Sequence, residues 1–171
     1  MADKSNIVLI GMPGAGKSTL GVVLAKILGY DFIDADILIQ NQSDRTLQKI
    51  IDAMGPMGFI EVENGVLCDI DVRRTVISTG GSAVYSDEAM RHLSEIGTVV
   101  YLKVSLEELR MRLGGLHERG VVMKDGTGMN LDELYVERIP LYERYAEITL
   151  ESDNLTVRDA ARKLVDILSM Q

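Results

Sequence analysis

Residues 11–18 read Gly-Met-Pro-Gly-Ala-Gly-Lys-Ser, the G-x-x-x-x-G-K-S/T spacing of a loop built to hold phosphates. Its glycines let backbone N–H groups approach a polyphosphate, and a helix starting at its end adds positive potential toward the same anion. The expected cradle is Gly14, Ala15, Gly16, Lys17, Ser18 and Thr19. Within it Lys17 reaches the β- and γ-phosphates and the Ser18 hydroxyl ligates Mg²⁺. The predicted ligand is a nucleoside triphosphate.

Carboxylates follow at Asp34 and Asp36, at the end of a second apolar run. If the backbone there is extended, both point to one side. One would hold a metal-bound water and the other take a proton from a hydroxyl. The competing reading makes Asp36 only a cap for a helix starting at Ile37. A third run, Thr75–Thr79, ends without an acid and passes into Gly80-Gly81-Ser82, where backbone amides can approach an anionic or hydroxylated ligand.

Positioning these groups requires strands that end beside one another. The pattern predicts strands near 6–11, 31–35, 75–79, 97–103 and 147–151. Between them lie a helix over Ser18–Gly29 with Leu20, Val23, Leu24 and Ile27 on one face, and two or three short helices over 36–70 around Gly55-Pro56. A capping box, Ser105-Leu106-Glu107-Glu108, opens another helix, and further helices cover 131–145 and 156–169. Alternating strands and helices imply an α/β fold, a parallel sheet covered on both faces, with ligands beyond the strands' carboxyl ends. The glycine-rich stretch 114–128, carrying His117, Glu118, Arg119 and Lys124, reads as an active-site lid.

The chain has 171 residues, 46% hydrophobic and 26% charged, which suits a single domain over 1–171 with its own core. Eighteen basic against 26 acidic residues give a net charge of −8, against any role on nucleic acid or an anionic membrane. Cys68 is the single cysteine, so no intramolecular disulfide forms and a reducing cytoplasm is expected. The start, Met1-Ala2-Asp3-Lys4-Ser5, leads straight into the first strand, so no signal peptide is expected.

Together these pieces resemble the shikimate kinase family over nearly the whole chain: the phosphate loop, Asp34-Ala35-Asp36, Gly80-Gly81, and Arg138-Ile139-Pro140-Leu141-Tyr142. The resemblance implies a three-layer α/β/α P-loop fold, nucleoside-monophosphate-kinase-like, with five parallel strands and a lid. It implies ATP and Mg²⁺, with Ser18 and Asp34 at the metal and Asp36 as base on the acceptor hydroxyl. Arg138 would grip the acceptor's carboxylate beside Phe59, Gly80 and Gly81. Arg112 falls where the family stacks adenine and Arg119 where it carries a lid arginine; Thr156 and Val157 fall where it closes the adenine pocket, without the usual proline there. The chain departs from the pattern at Ile60, where an arginine helps hold the carboxylate, and at Ser82, where a third glycine stands. It departs again at Ile51, an aromatic pocket position, and in the lid sequence Arg119-Gly120-Val121-Val122.

With its arginine partner missing, Glu63 reads as a solvated helix face. Arg45 and Lys124 are the basic residues that would compensate for Ile60. His92 reads as a surface residue, His117 as incidental, Arg73-Arg74 as a solvated turn, and Cys68 with the helical methionines as core packing. The expected activity is transfer of the ATP γ-phosphoryl to shikimate by a cytoplasmic monomer. A different polyol, hydroxy acid or amino sugar is the alternative acceptor, and an ATP-binding regulator without turnover is the alternative of another class.

Overall fold

The computed structural model describes residues 4–113 and 129–170. The predicted lid, with His117, Glu118, Arg119 and Lys124, lies outside the described residues.

Five strands form one parallel sheet: β1 (Asn6–Ile10), β2 (Asp31–Asp34), β3 (Thr75–Ser78), β4 (Gly97–Lys103) and β5 (Ile148–Glu151), in the spatial order β2-β3-β1-β4-β5. β1 and β3 are buried at every residue, as strands covered on both faces must be, and this explains the apolar run Ile7–Ile10 and the pair Val76-Ile77. The chain leaves β1 toward β2 on one side and returns to β4 on the other. That switch point opens a crevice at the carboxyl ends of β1 and β3.

The helices are α1 (Lys17–Leu28), α2 (Ala35–Ser43), α3 (Leu47–Cys68), α4 (Asp87–Ile96), α5 (Leu106–Arg112), α6 (Leu131–Tyr145) and α7 (Val157–Ser169). A 3₁₀ turn over Ala83–Tyr85 follows β3. α1 packs on α7 and on β2 and β3, while α4 packs on α3, β1 and β4. The main core runs through the sheet, and a smaller apolar cluster of Ile39, Ile50, Phe59 and Val66 joins α2 to α3. α3 is broken at Gly55, whose φ of 74° and ψ of 171° suit glycine, and Pro56 starts the second segment. Among the described residues no helix is long and apolar enough to cross a membrane.

Several local expectations change. Gly21 and Ala25 join Leu20 and Leu24 on the buried face of α1, and Ile27 is exposed, because a neighbouring helix covers a narrower stripe than the pattern suggests. Ser105 accepts from the Glu108 amide, but the Glu108 carboxylate turns to Arg112 instead of closing the box. A complete capping box, Asn130–Glu133, stands instead at the start of α6. Met90 is core, whereas Met54, Met57, Met111 and Met170 are exposed. His92 is half-buried, its Nε2 donating to the Ile70 carbonyl at 2.7 Å.

Candidate active site

The phosphate loop joins β1 to α1. Gly16 ends it in the left-handed region (φ 92°, ψ 21°), and no side chain caps α1 there. The first-turn amides are thus left for an anion. Lys17 is only 8% exposed, and its Nζ donates to the carbonyls of Gly11 (2.8 Å) and Met12 (2.9 Å). Burial draws its pKa down to about 8; the Asp36 carboxylate opposes that, and Arg138 adds to it.

At the end of β2, Asp34 rather than Asp36 caps the next helix. Its Oδ1 accepts from the amides of Asp36 (3.0 Å) and Ile37 (3.2 Å), and its Oδ2 accepts from Ser18 Oγ at 2.5 Å. The backbone therefore turns helical at Ala35, and Asp36 stands in the first turn of α2 instead of extending β2. Ser78, paired in register with Asp34, brings its Oγ to 3.1 Å from Ser18 Oγ. Where an acid was missing from the end of β3, a serine completes an oxygen cluster. These hydroxyl and carboxylate donors suit a hard cation such as Mg²⁺. Among the described residues no group of three or more His, Cys, Asp or Glu side chains could hold a metal ion by itself.

Asp36 faces a cleft of about 370 Å³ shared with Lys17, Ser18, Phe59, Gly80 and Arg138. Burial raises its pKa, the neighbouring Asp34 raises it further, and Lys17 opposes both. Gly80 is wedged between two carboxyl groups: a Cβ there would sit 2.7 Å from Glu63 Oε1 and 2.8 Å from Asp36 Oδ1. Glu63 is therefore not the solvated helix residue expected from its pattern. It is 1% exposed, its Oε2 accepts from Ser82 Oγ at 2.6 Å, and its Oε1 has no hydrogen-bond partner among the described residues. The Ser82 departure supplies the polar contact of a buried acid whose neighbour Ile60 cannot, since Ile60 packs with the Phe59 cluster. Arg45 does not compensate; it is exposed and lines a separate hollow beside Asp44 and Lys49.

Burial pushes the Glu63 pKa up to about 7, against the pull of Ser82. An acid whose folded value exceeds its unfolded one stabilises most below about pH 4.5, and that contribution is lost as pH rises through about 7. The difference corresponds to about 3 kcal/mol. Glu63→Gln is expected to remove this loss, so that urea unfolding at pH 5 and pH 8 shows a smaller fall in stability than wild type. Parallel pH profiles would place the Glu63 charge outside the energetics of folding.

Arg138, on α6, is 1% exposed and closes the far side of the cleft. A Cβ on Gly81 would lie 2.8 Å from its NH1 nitrogen, so only glycine admits the guanidinium this close. Tyr142, one turn on, donates to the Gly81 carbonyl at 2.7 Å and is hydrogen-bonded to Arg138.

A second hollow of about 250 Å³ adjoins the loop on the other side, lined by Ala15, Arg112, Thr156 and Val157 among others. Arg112 NH1 donates to the Ala15 carbonyl at 3.2 Å while Glu108 pairs with NH2. Gly14, Gly16 and Thr19 border both hollows, so the phosphate loop lies between them. The residues that sequence reasoning missed are Ser78, Ser82 as the partner of Glu63, and Tyr85, whose hydroxyl accepts from Arg138 Nε at 3.1 Å. Ser78 alone had a signal, the pairing of β2 with β3.

The strand order, with a phosphate loop at the switch point, defines a P-loop kinase of the nucleoside-monophosphate-kinase-like class. The family model for shikimate kinase matches residues 13–169, and the chain belongs to the shikimate kinase family. It is 38% identical over 170 residues to shikimate kinase of Pasteurella multocida, covering 98% of this chain and 97% of that one. It is 36% identical to the Vibrio parahaemolyticus enzyme, covering 98% of each. Shikimate kinase from Acinetobacter baumannii, solved in complex with shikimate, superposes with a TM-score of 0.89 at 32% identity, covering 97% of this chain and 93% of that one.

Proposed function

We propose that this protein transfers the γ-phosphoryl group of ATP to a hydroxyl of shikimate. The observation that carries the reading is the convergence of Lys17, Asp36 and Arg138 on one cleft beside the phosphate loop. The loop amides and Lys17 bind the β- and γ-phosphates, and the hollow at Arg112, Thr156 and Val157 takes the adenine. Arg138 binds the acceptor's carboxylate, with Phe59, Gly80 and Gly81 as the wall around its ring.

Asp36 accepts the proton of the attacking hydroxyl as the new O–P bond forms and the bond to the leaving ADP oxygen breaks. Ser18 and Asp34 would hold Mg²⁺, which would supply charge neutralisation on the phosphate oxygens. Ser18, Asp34 and Ser78 fix the oxygen donors at that point before substrates arrive. Arg119, outside the described residues, would stabilise charge on the transferring phosphoryl group. The single domain is a monomer in a reducing cytoplasm, with ATP and a small acid as its partners.

One observation favours a second acceptor. Ile60 is part of an apolar cluster and Ser82 occupies Glu63, so a carboxylate has one arginine where the family offers two. A hydrogen bond to a charged group contributes about 1.5–3 kcal/mol, roughly 10- to 150-fold in affinity. An ADP-release assay with Mg·ATP tests this directly, with shikimate beside other polyols, hydroxy acids and amino sugars. Saturable turnover on shikimate with a KM below about 1 mM is expected. Turnover on another acid alone would move the specificity, and tight ATP binding with no turnover on any acceptor would make the protein a regulator.

A further inference from the structure

Arg138 is anchored from behind by a tyrosine that lies outside every motif of the sequence. Tyr85 ends the 3₁₀ turn that follows Gly81 and Ser82. Its hydroxyl accepts from Arg138 Nε at 3.1 Å and donates to Glu137 Oε2 at 2.5 Å. The same residue puts its ring under the guanidinium, whose carbon is 5.1 Å from the ring centroid. Glu137 thus reaches the guanidinium by way of the tyrosine hydroxyl, and a hydroxyl whose proton is drawn to a carboxylate is a better acceptor for Nε–H. Burial, with help from Glu137 and against Arg138, pushes the Tyr85 pKa up to about 12, so the relay keeps its proton at neutral pH.

We infer that Tyr85, backed by Glu137, is a positioning residue that fixes the plane of the Arg138 guanidinium, holding its NH1 edge against Gly81 at the cleft wall and so setting affinity for an anionic group on the acceptor. An arginine stem has four side-chain torsions, and a guanidinium aimed before the ligand arrives does not lose that freedom on binding. The Tyr85 hydroxyl and ring, together with the hydrogen bond from Tyr142, restrain the guanidinium more tightly than one contact would. In a cleft where Ile60 contributes no second cation, aim matters more than usual.

The inference rests on the reading of Arg138 as the acceptor's anchor, and the test separates the two. Tyr85→Phe keeps the ring and removes the hydroxyl; Glu137→Gln keeps the hydroxyl and weakens the relay. Tyr85→Phe is expected to raise the KM for shikimate about tenfold, with kcat and the KM for ATP within about twofold of wild type. Glu137→Gln should move in the same direction by less. The ¹⁵N–¹H resonance of Arg138 Nε, assigned by its disappearance in Arg138→Lys, is expected to be protected from exchange in wild type and to lose that protection in Tyr85→Phe. Unchanged shikimate KM and unchanged Nε–H protection in both variants would overturn the inference while leaving the proposed function standing. If wild type does not phosphorylate shikimate, the acceptor reading falls and the resonance decides: lost protection in Tyr85→Phe upholds the positioning role, and retained protection overturns it.

Discussion

Asp36→Asn is expected to lower kcat by about 10²- to 10⁴-fold while ATP affinity stays within a few-fold. The substitution is nearly isosteric and removes the negative charge together with the ability to take a proton. Asp36 is well placed for that task because its surroundings make it a better base than a free carboxylate: burial and the Asp34 charge raise its pKa, and only Lys17 opposes them. Across Gly80 lies Glu63, whose pKa the Asp36 charge helps to raise. Relieving a buried charge should therefore leave thermal stability unchanged or slightly higher, in contrast to the loss of turnover. Steady-state kinetics and nucleotide binding by fluorescence separate these effects. A variant that keeps more than about a tenth of wild-type kcat would remove Asp36 from the role of base, since proton transfer is worth at least ten times that.

Lys17→Met should reduce kcat by about 10²- to 10³-fold, the loss found when one preorganised charge on the reacting group is removed. Methionine keeps much of the stem, so the packing around this buried position survives. In the free protein Nζ is parked on the Gly11 and Met12 carbonyls with a pKa near 8. Binding a triphosphate brings negative charge to the same nitrogen and moves its pKa back toward that of ordinary lysine. At pH 8 the amine is about half protonated before binding, so wild type should take up about half a proton per nucleotide more than the variant. Calorimetry in two buffers of different ionisation enthalpy measures this. Equal proton uptake by both proteins would show that Lys17 does not meet the phosphates.

Much of the fold was legible because its signals are local. The apolar run Ile7–Ile10, the glycine spacing that follows and the start of α1 are contiguous, and each is specified by neighbours in the chain. The break at Gly55-Pro56 was readable for the same reason, since both residues restrict their own backbone. The helix after β2 starts at Ala35, one residue before the predicted 36–70 stretch, and its cap is Asp34, not the Asp36 of the competing reading. Asp34 and Asp36 are both good caps, and the choice fell to Asp34 because its other oxygen is engaged by Ser18, 16 residues earlier.

The acceptor side of the site shows where such reading stops. Glu63 sits on a helix whose periodicity fits a solvated face, and burial came from Gly80, Ser82 and Asp36 converging on it from two other elements. Ser82 looked like a lost glycine and is instead the hydrogen-bond donor to that buried acid. Tyr85 had no signal at all, because nothing in its neighbourhood in sequence points to Arg138, 53 residues away. By itself the sequence determined the strand order's ingredients and the phosphate loop, and it singled out Asp36, Lys17 and Arg138 as candidates, since each lies in a short contiguous pattern. Only the tertiary structure decided which carboxyl is buried, which serine bonds it, and which tyrosine bonds the arginine. Those outcomes depend on distances between groups remote in the chain, and burial and hydrogen bonding are properties of those distances.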